Sequence, residues 1–274
     1  MIGTGLVEEL VQSVALSHLV KGHRRVSLLM LAAPESGKTT IASAATALHV
    51  CRVAVISGRS ILKQAKDHPE TEFLLFNDLT AVRAMSASAV NLLIVILNQF
   101  TQDERGIVAF AGQEVEHITR PVGLIACLPF KTFIDHRSRW REMGFVSRMI
   151  PFAYHYDDEL VAQIKDSIDN GHHLADAKAR RAMPKRVVRR PVTVSMAPHL
   201  IREIRHMADK RAKTLSQLGI RLLQNYHTLI RAHALLFKRT AVTRDDVYFL
   251  RQVDHFVSIK VCEPLIERRP ERIA

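Results

Sequence analysis

Two kinds of apolar pattern divide this chain. Residues 26–31, 53–57, 73–76, 122–127 and 149–154 are short, nearly continuous apolar runs, the signature of strands covered on both faces. Between them lie stretches with helical spacing. Residues 6–19 form an amphipathic stripe, 60–66 a brief helix, and 81–100 a long apolar segment without Pro or Gly. Residues 106–117 alternate weakly and predict a β-hairpin. Strands alternating with helices over some 150 residues predict an α/β fold, a parallel sheet with helices on both faces.

The pattern changes after residue 168. Residues 171–192 carry Lys178, Arg180, Arg181, Lys185, Arg186, Arg189 and Arg190, with Asp176 as the only acid, and Pro184 and Pro191 interrupt helix there. Beyond 196 the spacing is helical again. Stripes run through Leu200, Ile201, Ile204 and Met207, then Leu218, Leu222, Leu223 and Leu229, then Val247, Leu250, Val253 and Phe256. Thr243 with Asp246 three residues later reads as a capped helix start. The expected organisation is a nucleotide-binding core at 1–170, a basic linker at 171–192 and a small all-helical domain at 193–274.

The first apolar run ends in Ala32-Ala33-Pro34-Glu35-Ser36-Gly37-Lys38-Thr39-Thr40 and is followed by Ile41-Ala42-Ser43. Strand, tight loop and helix in that order build a phosphate cradle. Backbone N–H groups and the helix dipole face the anion, Lys38 reaches the β and γ phosphates, and the Thr39 hydroxyl goes to Mg²⁺. Pro34, Glu35, Ser36, Gly37, Lys38, Thr39 and Thr40 are therefore the candidate ATP-binding residues. The usual first glycine of the pattern is Ala32.

Such a loop needs a metal carboxylate at the end of a neighbouring strand. The run 73–76 is followed by Asn77-Asp78, which makes Asp78, with Thr39, the candidate Mg²⁺ residue. Two alignments stay open: Asp78 as the metal acid with no glutamate behind it, or Asn77 in the metal position and Asp78 as base. Arg148 precedes a late strand after a Gly-Phe turn and suits a finger toward a neighbour's γ-phosphate, with Arg139 and Arg141 as competitors. Arg221, at the start of a long helix, is a candidate to close over the bound nucleotide.

Lys and Arg number 39 against 27 acids, a net charge of +12. That excess points to a polyanionic partner, and the basic linker residues are the candidate nucleic-acid contacts. The three cysteines are far apart and form no CxxC pair, which argues against disulfide and zinc frameworks. Fourteen histidines are scattered. The longest uninterrupted apolar stretch, 92–97, is too short to span a bilayer, and the first twenty residues lack a signal-peptide pattern. A cytoplasmic protein without membrane partners is expected.

In order along the chain, the phosphate loop, Leu75-Phe76-Asn77-Asp78-Leu79, the strand 123–128, Gly144-Phe145-Val146-Ser147-Arg148 and the tail 232–246 resemble an AAA+ ATPase. The tail from Arg231 to Val247 is similar to the lid of the minichromosome-maintenance-type helicase branch, and the layout over residues 20–258 to small ATPases of phages and mobile elements. The resemblance implies a homo-oligomeric ring, a hexamer, with ATP at subunit interfaces and mechanical work on DNA. It assigns Lys38 and Thr39 to the phosphate loop, Asp78 to the metal, Arg148 to the finger acting across the interface and Arg221 to the lid arginine. It also puts the hairpin at 106–117 toward a central pore. The chain departs from the family at Ala32, at the missing or displaced catalytic glutamate, and near Ala126-Cys127, where an apolar pair takes the place of a polar sensor unless Thr132 substitutes. The expected function is an ATP-driven DNA motor or helicase loader in replication or mobile-element biology, with a partner protein from the same setting. The alternatives are a weakly hydrolysing switch or scaffold that recruits other proteins, and a small-molecule kinase.

Overall fold

The computed structural model describes residues 5–43, 50–53, 57–102, 106–110, 113–118, 120–170, 190–259 and 263–264. Helix α1 (Gly5–Leu16) precedes strand β1 (Ser27–Ala32), and helix α2 (Lys38–Ser43) follows the loop at 33–37. Strand β2 (Val50–Val53), helix α3 (Gly58–Asp67), strand β3 (Phe73–Phe76) and helix α4 (Ala87–Phe100) come next. The antiparallel hairpin of β4 (Gly106–Phe110) and β5 (Gln113–Ile118) stands apart from the main sheet. Strand β6 (Gly123–Pro129), helix α5 (Phe130–Glu142), strand β7 (Met149–His155) and helix α6 (Asp158–Asp169) complete the first part.

The sheet order is β2-β3-β6-β1-β7, and every pairing is parallel. A two-residue strand, β8 (Glu263–Pro264), extends the β7 edge in parallel. β1 therefore lies in the middle, buried at all six positions, which is why its sequence shows no alternation. β6 separates β1 from β3, so the loop after β1 and the acid after β3 face each other across one strand.

Three local differences from the sequence pattern have physical causes. Ser57 is an N-cap, not a strand end: its side chain and that of Ser60 form a reciprocal capping box that starts α3. The segment predicted as one helix over 81–100 is a 3₁₀ turn at Leu79–Ala84 followed by α4, because Ser86 adopts an extended conformation and caps Ala89. Helices α5 and α6 were not anticipated; α5 buries only Thr132, Phe133 and Trp140, too thin a stripe to stand out.

Helices α7 (Pro198–Leu215), α8 (Ile220–Leu236) and α9 (Arg244–His255) pack on one another, and α1 packs along α8. The helical part thus includes the start of the chain. Between α7 and α8 the chain reverses through two left-handed residues, Ser216 (φ 54°) and Gly219 (φ 81°). The predicted capping box at α9 is present between Thr243 and Asp246. Fully buried Asp246 also accepts from Arg239 and bonds the His233 Nδ1 at 2.6 Å, while His233 stacks on Phe249 with centroids 3.9 Å apart. Among the described residues no helix is long and apolar enough to cross a membrane.

Candidate functional site at two ends of the sheet

The phosphate loop leaves β1 at its C-terminal end. Glu35 and Gly37 both have positive φ, 64° and 70°, and such alternation curls the backbone into an anion-sized concavity. Ser36 is buried, and its hydroxyl donates to the Ala33 carbonyl at 2.8 Å. The buried Lys38 ammonium turns into the loop, donating to Ala32 O at 3.0 Å, to Ser36 Oγ at 3.1 Å and to Ala33 O. It sits where phosphate oxygens could replace those acceptors. Pro34, Glu35, Thr39 and Thr40 are exposed.

Thr39 reaches across to β3, its hydroxyl donating to the Asn77 carbonyl at 3.4 Å. Asp78 follows immediately. Its Oδ1 accepts from the Thr80 N–H at 2.7 Å and from the Thr80 hydroxyl, capping the 3₁₀ turn. Between them, fully buried Cys127 of β6 has its thiol pushed up to about 12 by burial, with Lys38 opposing that shift and Asp78 adding to it. Lys38, Thr39, Asp78 and the end of β6 therefore converge. The thiol stays neutral, so the end of β6 offers no strongly polar group, and Thr132 is buried in α5. Among the described residues no group of three His, Cys, Asp or Glu side chains is gathered to hold a metal. A cation bound mainly by phosphate oxygens and water needs no such cage, and Thr39 with Asp78 fits it.

Two tyrosines were not foreseen. The Tyr156 hydroxyl donates to Ser36 O at 2.7 Å, and fully buried Tyr154 approaches the same oxygen at 3.5 Å. Nothing local in the sequence marks a contact between positions 118 and 120 residues apart.

Arg148 lies at the other end. Met149, next to it, pairs with Ser27 at the beginning of β1, so the six-residue strand separates Arg148 from its own phosphate loop by about 17 Å at roughly 3.3 Å per residue. Its Nη1 donates to Gly144 O at 2.6 Å, while Nε has no partner among the described residues. Gly144 has φ 71°, and a Cβ there would come within 2.4 Å of that guanidinium nitrogen. Burial and the nearby Arg221 charge lower the Arg148 pKa.

Arg148, Arg221, Arg24 and Arg25 line one pocket with Thr101, Gln102, Gln224 and Asn225. Arg25 is paired with Glu72. Buried Asn225 has no partner for its Nδ2 among the described residues. Arg221, at the start of α8, lies beside Arg148, at the far end of the sheet from its own loop. Of the competitors, Arg141 reaches the Leu215 and Ser216 carbonyls at 3.5 Å, tying α5 to the end of α7, and Arg139 is exposed on α5. Close by, His227 is pushed down to about 4 by burial and by Arg231, His23 and Arg205. This end is rich in donors and positive charge.

Of the basic-linker candidates, Arg190 is exposed. Lys178, Arg180, Arg181, Lys185, Arg186 and Arg189 lie outside the described residues, as does the tip of the hairpin at 111–112. No family model matches the chain, and no curated protein is significantly similar to it.

Proposed function

We propose that this chain is an ATP-binding P-loop ATPase of the AAA+ type that assembles head to tail and acts on DNA. The observation that carries the reading is the convergence of Lys38 and Thr39 with the Asn77-Asp78 end of β3 across β6. A loop whose lysine bonds its own carbonyls can exchange them for phosphate oxygens. Thr39 and Asp78 would hold Mg²⁺, which would supply neutralisation of phosphate charge.

The arginine end supports assembly. Arg148 and Arg221 stand a strand's length from their own loop, so in this arrangement they can serve only a nucleotide held by another copy. One surface meeting a different surface of the next copy is a heterologous contact, which closes into a ring when the rotation permits. A hexameric ring with DNA as partner is the form this proposal takes, and the +12 charge supports a polyanion.

A second reading, a slow ATP-dependent switch that recruits a partner protein, is favoured by the occupation of Asp78 Oδ1 as a cap and by Leu79 following it. Turnover with and without DNA separates the two, since a motor is stimulated and a switch is not. The nucleotide reading itself is tested by titrating ATP against wild type and Lys38→Ala. Removing the fixed cation should weaken binding by about a hundredfold or more; equal affinities would refute the assignment.

A further inference from the structure

The peptide joining Ser36 to Gly37 has its carbonyl held from outside the loop, by Tyr156. Gly37 has φ 70°, and a glycine tolerates either sign of φ, so its peptide can rotate at small conformational cost. The orientation matters. In a trans peptide the C=O and the following N–H point in opposite directions. With Ser36 O toward β7, the Gly37 N–H points away from β7. Reversed, the same peptide would present a carbonyl where an anion needs a donor.

We propose that Tyr156, backed by Tyr154, is a positioning residue that holds the Ser36–Gly37 peptide with its N–H available to a phosphate; this rests on the nucleotide reading of the loop. Tyr156 OH donates to Ser36 O at 2.7 Å and Tyr154 OH approaches it at 3.5 Å. Tyr154 lies in β7 and Tyr156 just past its end, and their rings lie 5.8 Å apart. Tyr154 is fully buried, so the pair is fixed to the sheet rather than to the loop. Burial pushes the Tyr156 phenol up to about 12, so it remains a donor throughout the physiological range. Tyr154 belongs to β7 and Tyr156 follows its last residue, at the end of the strand opposite Met149, the neighbour of Arg148.

The test measures binding of two probes, ATP and inorganic tripolyphosphate, to wild type and Tyr156→Phe. Loss of one hydrogen bond that sets the cradle should weaken both probes by the same factor, about fivefold. Tyr154→Phe should show the same pattern with a smaller factor. It carries the test if thermal melting shows that Tyr156→Phe does not fold. Unchanged affinity for both probes would overturn the proposal. So would a loss confined to ATP, because Tyr156 would then act on the nucleoside. A wild-type chain that binds neither probe would overturn the nucleotide reading itself, and this proposal with it.

Discussion

The two ends of the parallel sheet are built from different materials. At the C-terminal end of β1 the site is mostly backbone: a curled loop, its carbonyls already occupied by Lys38, Ser36 and Tyr156. At the N-terminal end it is mostly side chain, and donors outnumber acceptors. Arg148 Nε and Asn225 Nδ2 go without partners among the described residues, although Asn225 is buried. Such groups cost free energy unless something satisfies them. The orphan at the first end is an acceptor, the buried Asn77 Oδ1, whereas those at the second end are donors. An anion presented by another molecule would correct the imbalance.

The strongest way to break this comparison is Arg148→Ala. ATP binding should stay near wild type, because the residue is a strand's length from its own loop, while turnover in the assembled state should fall by about 10³–10⁵. Mixing this variant with Lys38→Ala protein should restore part of the activity, since a sound loop then meets a sound arginine. No recovery from a mixture proven to co-assemble would make the two ends independent.

A finer cut leaves the charge in place. Gly144→Ala puts a methyl against the Arg148 guanidinium and strains a residue at φ 71°. Displacing a transition-state contact by about an ångström costs on the order of a hundredfold. Turnover should drop by about that factor, with ATP affinity retained. Unaltered turnover in a folded variant would show that the position of Arg148 is immaterial.

The His233–Asp246 network supplies the contrast, a polar cluster paired within the chain, with His233 Nε2 3.7 Å from Glu9. Asp246→Asn should cost about 3 kcal/mol of stability, measured by denaturant unfolding, because Arg239 and His233 lose their carboxylate. Burial alone would lower the His233 pKa, but its bonds to Asp246 and Glu9 reverse this and raise it. Its contribution is therefore full below the ordinary imidazole value and fades as pH rises through the raised one. Burial alone would raise the Asp246 pKa; His233, the Thr243 N–H and Arg239 lower it, so its share is lost only in acid. The stability gap between wild type and His233→Gln should shrink as pH rises from the ordinary imidazole value through the raised one. A constant gap would mean that the imidazole charge contributes nothing.

Legibility in the sequence followed the range of the interactions. The buried parallel strands and the α9 cap were readable because their signals are local: unbroken apolar runs, and Thr243 three residues before Asp246. The strand–loop–helix order around residues 27–43 was readable for the same reason. What failed depends on packing. The start of α8 could be seen at residue 220, but that it brings Arg221 to Arg148 follows from how α8 lies against α1 and the sheet. Tyr154 and Tyr156 gave no local signal, because their contact with Ser36 follows from the pairing of β7 beside β1. His23-Arg24-Arg25, just before β1, was an overlooked signal for the basic end.

The smallest expected effect concerns charge outside both ends. Residues 178–190 hold seven cations, and Arg190 is exposed where the described chain resumes. Substituting Arg186, Arg189 and Arg190 together by Ala should weaken DNA binding by a similar factor for every sequence, since phosphate contacts carry no base information. The salt dependence should become shallower by about 0.9 in log–log slope for each duplex phosphate that the arm no longer neutralises. ATP affinity and the Arg148 mixing result should not move, because the described residues of the loop and of the arginine pocket lie outside this segment. If slope and affinity stay at wild-type values while assembly is intact, the segment serves as a linker. DNA would then have to be held elsewhere, and the basic surface around His23, Arg24, Arg205 and Arg231 would be the next to neutralise. That outcome would make the two ends of the sheet compete for one set of positive charges, nucleotide against nucleic acid, and Arg148→Ala would then weaken DNA binding as well as turnover.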